Sequence, residues 1–152
     1  MNKLIITSVS VIVFAALFVM IGAANSLSEP VIVKENFFQI TNKHRLSQNL
    51  PQLKVSKSLT ESAQAKADDL CNLNYWSHTR PNGEEFSKSM TYTGTRVGEN
   101  LAQKFDTDEG AFQGLIKSPT HLANIVGDYD EIGIGRNYCG GRNIIVSHFG
   151  EL

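Results

Sequence analysis

The chain has no basic run or stripe. Its 14 lysines and arginines stand among 15 aspartates and glutamates, scattered over 152 residues to a net charge of −1. A nucleic-acid binder concentrates cations on one face, so nucleic acid is not expected as a main partner. Internal repeats are lacking too, as is low-complexity sequence beyond the N-terminal segment, which removes solenoids and repeat arrays. No nucleophile with an adjacent base stands out. Two cysteines, Cys71 and Cys139, allow at most one disulfide. A composition of 41% hydrophobic and 19% charged residues suits one ordinary globular domain, and a second full domain does not fit.

A long hydrophobic run is present only at the N-terminus. In "MNKLIITSVSVIVFAALFVMIGAANS", Lys3 precedes an apolar stretch from Leu4 to Ala24 that is interrupted by Thr7, Ser8, Ser10 and Gly22. The dense part, Val11 to Ile21, has the length of a signal-peptide core, and Ala24-Asn25-Ser26 offers small residues for cleavage after Ser26. Residues 4–24 are also long enough to span a bilayer, which takes roughly 20 residues, so an uncleaved anchor is the second reading. Either way the remainder is expected outside the membrane, secreted or at the cell surface. An oxidising compartment favours a Cys71–Cys139 disulfide, the alternative being two buried thiols.

Residues 27–33, with Pro30, read as a linker, and 34–152 as the domain. Phe37, Ile40 and Leu46 recur at helical intervals and predict a helix over 34–48, broken by Pro51. Leu59, Ala63, Ala67, Leu70 and Leu73 form a stripe over 57–74, with Glu61, Lys66 and Asp69 between them, and the two alanines allow close packing on a sheet. Pro81-Asn82-Gly83 marks a turn inside an irregular segment, 79–97. "VGENLAQKF" alternates imperfectly and reads as a short strand or a bend. A helix follows over 106–117, with Ala111, Phe112, Leu115 and Ile116 inward. The period then changes: "YDEIGIGRNYC" and "RNIIVSHFG", separated by Gly140-Gly141, predict a β-hairpin with Cys139 near its tip. Helices first and strands last imply an α+β domain with helices on an antiparallel sheet.

Four histidines are candidates for chemistry. His44 falls on the polar side of the first helix and reads as a solvated group. His148 shares a strand face with Ile144 and Val146, which fits a hydrogen-bonded, largely buried imidazole better than a ligand. His78 directly follows the long helix, where a side chain is held at its base yet free to reach a cleft; a C-terminal capping histidine is the alternative. His121 is set by Ser118, a good N-cap, and Pro119, which suits the first helical position. A helix N-terminus favours the neutral imidazole, which accepts a proton or binds a metal. Glu99, flanked by Val97 and Leu101, either points to solvent or needs a buried partner, and a histidine would serve. His78, His121 and Glu99 could together hold a divalent metal such as zinc, with Glu99 as ligand or as the group orienting a histidine ligand.

"YWSHTRPNG", "VGENLA", "SPTHLANIV" and "YDEIGIG", in this order, resemble the CAP superfamily of cysteine-rich secretory, antigen 5 and pathogenesis-related proteins, and in particular its compact bacterial SCP-domain branch. The resemblance covers about residues 36–150. It implies a three-layer α-β-α sandwich with a cleft lined by two histidines and two glutamates. By motif, His78 and His121 match the histidines and Glu99 the glutamate of the G-E-N motif. The second glutamate is missing: Leu115 stands at the position of the tryptophan that precedes it in animal members, which puts Ser118 where the carboxylate would be. Glu109 lies about two turns too early, and Glu131 belongs to a different motif. Metal-dependent peptidase activity is suggested for some relatives, with a carboxylate as general base; others bind lipids or sterols. The expectation is therefore a non-catalytic extracellular binding module for a divalent cation, a small ligand, a lipid or an envelope component. The alternative is a metal-dependent hydrolase of peptides or envelope polymers, in which Glu99, His78 and His121 would be catalytic. Contact with a membrane is expected only through an uncleaved N-terminal segment.

Overall fold

The computed structural model describes residues 36–152; the signal or anchor segment 1–26 and the linker 27–33 lie outside the described residues. Helix α1 (Phe37–Ser47) begins with a capping box, in which the Asn36 side chain accepts the Gln39 N–H and the Gln39 side chain accepts the Asn36 N–H. Phe37 and Ile40 face inward, but Leu46, expected on the same face, is exposed. Arg45 occupies the inward position instead. Its buried guanidinium donates to the carbonyls of Pro51, Ile125, Gly127 and Tyr129, an arrangement the apolar spacing did not reveal.

A two-residue strand, β1 (Lys54–Val55), leads into α2 (Lys57–Asn72). Ala63, Ala67 and Leu70 are fully buried, whereas Leu73 lies past the helix end and is exposed. Lys66, read as a polar-face residue, is buried. Residues 79–95 are irregular except for a 3₁₀ turn at Phe86–Ser89. The stretch left open between strand and bend forms strand β2 (Arg96–Gln103). Helix α3 (Asp108–Ile116) is capped by Thr107, which accepts the Gly110 N–H at 3.0 Å. The short helix α4 (Pro119–Ile125) has proline in its first turn. Strands β3 (Glu131–Cys139) and β4 (Arg142–Glu151) form the hairpin, turning through Gly140 and Gly141 at φ +54° and +73°. Positive φ at both central residues is what a tight hairpin turn asks of glycine.

The sheet order is β1-β3-β4-β2. β2, β3 and β4 are antiparallel as expected, and β1 adds a short parallel partner to β3, which makes the sheet mixed. Two exposed residues are too few to show a period, so β1 left no signal. Alternation along the strands separates two cores. Leu101, Ile144 and Val146 pack on Ala63, Ala67 and Leu70 of α2. Ala102, Ile145 and Phe149 point the other way, to Phe37, Ala111, Phe112, Leu115 and Ile125 of α1, α3 and α4. The result is an α-β-α sandwich. Cys71 and Cys139 are disulfide-bonded across 68 residues, tying the end of α2 to the hairpin tip; closing such a loop contributes roughly 4 kcal/mol in the chain-entropy account.

The repeated Gly in "EIGIG" has a steric cause. A Cβ at Gly133 would fall within the backbone of Leu59 and Thr60, and one at Gly135 within that of Ala63 and Gln64. Helix α2 therefore rests directly on the β3 backbone. Gly133→Ala and Gly135→Ala should each cost about 3 kcal/mol or more, at the upper end of overpacking penalties. Urea denaturation reads this directly, and a loss below about 1 kcal/mol would show that α2 can lift off without penalty.

Candidate functional site

The tripeptide Gly98-Glu99-Asn100 in β2 sends successive side chains to opposite faces of the sheet. Towards α4, Asn100 Nδ2 donates to the His121 carbonyl at 2.9 Å, and Asn124 Nδ2 donates to the Glu99 carbonyl at 3.0 Å and to Asn100 Oδ1 at 2.8 Å. A Cβ at Gly98 would stand 2.8 Å from Asn124 Oδ1 and 2.7 Å from the Tyr129 hydroxyl, so glycine is what lets α4 come this close. These bonds fix the backbone of His121 against β2. Ser118 occupies the N-cap position but makes no side-chain cap; its hydroxyl pairs with that of Thr120 at 3.1 Å.

Towards α2, the Glu99 side chain is fully buried and both its oxygens are engaged. His148, directly opposite in the β2–β4 register, places Nε2 2.9 Å from Oε2. His78 places Nδ1 2.7 Å from Oε1. His148 is itself buried and meets Ser62 Oγ through Nδ1 at 2.8 Å. Lys66 holds the His78 loop from beneath, donating to the His78 carbonyl at 2.9 Å and the Tyr75 hydroxyl at 3.1 Å, with its ammonium over the Tyr75 ring. Arg80 steadies the same loop through Asp69 at 2.8 Å and Glu84 at 3.1 Å. The Phe86 ring lies against both imidazoles, 6.3 Å from His78 and 6.2 Å from His148.

The electrostatics follow from burial and neighbours. Burial pushes the Glu99 carboxyl up, but the hydrogen bonds from His148 and His78, helped by the charges of His148 and Lys66, outweigh it and hold the group below its ordinary value. Burial lowers Lys66, and Glu99 opposes that shift. His121 is lowered first by burial and then by its electrostatic interaction with His78. Burial and a neighbouring histidine thus favour neutral His121, where the sequence pointed to the helix end.

Of the three residues singled out, His78 and Glu99 are in direct contact, and His121 is coupled to His78 by charge. Among the described residues, no three His, Cys, Asp or Glu side chains converge as a ready metal cage. His44, expected to be solvated, is partly buried with its ring against Phe112, 5.4 Å between centroids. Glu109 bonds Gln113 on the surface. Ser62, Lys66 and His148 are the members that reasoning from the sequence did not bring to the site. The register that pairs residue 99 with 148 is the signal that finds His148.

A model of the CAP family, described as the cysteine-rich secretory protein family, matches residues 38–149. The chain belongs to this family. It is 33% identical over 101 residues to the uncharacterized protein YkwD of Bacillus subtilis, a match covering 64% of this chain and 39% of that protein. Two solved structures share the fold of this CAP domain. An extracellular SCP-domain protein of Bacillus anthracis superposes with a TM-score of 0.68 at 24% identity, over 76% of this chain and 39% of the other. An outer surface protein of Borrelia burgdorferi superposes with a TM-score of 0.67 at 23% identity, over 75% and 88%. The CAP chain thus spans well under half the length of the two Bacillus proteins.

Because the folded Glu99 carboxyl titrates below its ordinary value of 4.5, its contribution to stability is complete above that pH and is lost as pH falls through the lowered value. Urea midpoints of wild type and Glu99→Gln, measured from about pH 7 to about pH 3, should therefore converge as acid is added. A gap that stays constant over this range would show that the carboxylate charge contributes nothing.

Proposed function

We propose that this CAP domain is an exported, non-catalytic binding module that takes a divalent cation such as zinc, or a small ligand, between His78 and His121 at the cell envelope. The observation that carries the reading is the complete engagement of Glu99. With both carboxylate oxygens on imidazole nitrogens, Glu99 serves as the group behind His78 and not as a ligand. His78 Nδ1 is used by that bond, which leaves Nε2 as the donor atom of a ring whose side chain is 46% exposed. His121 kept neutral supplies a second nitrogen. Two imidazoles fit a borderline-soft cation, whose remaining positions would go to water or to a polar group of a bound molecule.

The hydrolase alternative finds less support. A carboxylate acting as general base must be reached by the water it deprotonates; the Glu99 side chain is fully buried with an imidazole on each oxygen, and Ser118 supplies no carboxylate. Ser62 does stand beside an imidazole, but its hydroxyl also lies 3.0 Å from the Leu59 carbonyl of its own helix, and His148 is buried. Export is supported by relatives described as an extracellular and an outer surface protein. Among the described residues no helix is long and apolar enough to cross a membrane.

Calorimetric titration with zinc tests the reading. Wild type should bind at about pH 7.5 and at least tenfold more weakly at about pH 5.5, as protons compete for the imidazoles. His78→Ala/His121→Ala should show no binding at either pH. Equal binding by both proteins would refute the site.

A further inference from the structure

Beyond engaging Glu99, His148 has no role of its own in that reading, and Ser62 has none; yet the two complete a hydrogen-bonded line, Ser62–His148–Glu99–His78, that runs from α2 across two paired strands to the loop. The protons along it have few places to be. Two lone pairs do not face each other at 2.7–2.9 Å inside a protein, so a proton bridges each imidazole–carboxylate contact. The His148 bridge is braced from behind. Ser62 Oγ, 2.8 Å from Nδ1, either donates to that nitrogen or accepts from it while its own proton goes to the Leu59 carbonyl at 3.0 Å. In both arrangements Nε2 of His148 is directed at Oε2 of Glu99 and engages that oxygen.

We propose that His148 is a positioning residue for His78. By occupying Oε2 it fixes the rotation of the buried carboxylate and leaves Oε1 as the acceptor for His78 Nδ1–H, so that the His78 ring presents its Nε2 lone pair outward as the ligand atom. The surroundings suit this role. His148 sits on the interior strand β4, is 1% exposed, and is held between Ser62 Oγ on Nδ1 and Glu99 on Nε2 with the Phe86 ring beside it. A charged partner behind the ring also makes His78 a better donor to a cation. The proposal rests on His78 being a ligand, and it narrows the site to a cation bound through Nε2 and not Nδ1.

The test reads the tautomer of His78 in metal-free, ¹⁵N-labelled protein, by long-range ¹H–¹⁵N correlation at about pH 7.5, alongside zinc affinity. Wild type should show His78 as the Nδ1–H tautomer and His148 with its proton on Nε2. His148→Leu should release His78 into a tautomer mixture and weaken zinc binding by about tenfold or more. His148→Gln, which keeps an N–H able to reach Oε2, should restore both; a purely packing role would give no such split between Gln and Leu. If His148→Leu does not fold, the wild-type spectrum decides: His78 protonated on Nε2, or His148 Nε2 without a proton, overturns the proposal. A wild type with the expected tautomers that binds no zinc would refute the metal reading and leave the positioning role standing. Zinc binding with an unchanged tautomer and affinity in His148→Leu would refute the positioning role alone.

Discussion

The carboxylate of Glu99, buried between the sheet and α2 with an imidazole on each oxygen, is the constraint around which the site is arranged. A buried carboxylate without partners would cost several kcal/mol, and this one is answered from two directions at once. His148 reaches it across the strand ladder, where neighbours are fixed by register. His78 reaches it from a loop, where nothing is fixed until other residues hold the chain. That asymmetry explains why the loop carries so many anchors. Lys66 binds the His78 carbonyl, Arg80 pairs with Asp69 and Glu84, and Phe86 lies against the ring. Each removes freedom that a residue on a strand does not have to lose.

The same three residues of β2 serve both faces of the sheet. Glu99 points to α2 and the two imidazoles, while Gly98 and Asn100 admit and hold α4 through Asn124. A shift of register by one residue would exchange the faces, burying Asn100 against α2 and turning the carboxylate to α4. Register in this strand is therefore fixed by polar partners as well as by apolar pattern, and both histidines depend on it. Arg45 completes the frame from the far side, taking the carbonyls at the end of α4 so that the helix bearing His121 is held at both ends.

Much of this was legible in the residues. The alanine stripe of α2, the hairpin at Gly140-Gly141 and the need of Glu99 for a buried partner all follow from local pattern and elementary cost. What stayed hidden depends on contacts between segments distant in sequence. Lys66 reads as polar by type, but its side chain is buried and its ammonium is met by a carbonyl from twelve residues away. Arg45 faces inward and Leu46 outward, against the apolar spacing, because the guanidinium finds four carbonyls from later segments. His148 was placed inside the fold, as a strand residue beside Ile144 and Val146, but its relation to Glu99 exists only once β2 and β4 are paired.

That relation also bears on what the site can do. In a hydrolytic arrangement a carboxylate near the metal keeps one oxygen free, so that it can accept a proton from bound water and deliver it to a leaving group. Here one oxygen is committed to a strand imidazole and the other to the imidazole that would ligate the cation. A carboxylate so committed raises the donor strength of His78 and holds its orientation, both of which favour binding in the ground state. Neither supplies a base for the transition state, and uniform binding of this kind does not accelerate a reaction. By the resemblance, Ser118 stands where animal members carry the second carboxylate, and its hydroxyl pairs with that of Thr120. The two departures act in the same direction, and both weigh on the side of the proposed binding reading.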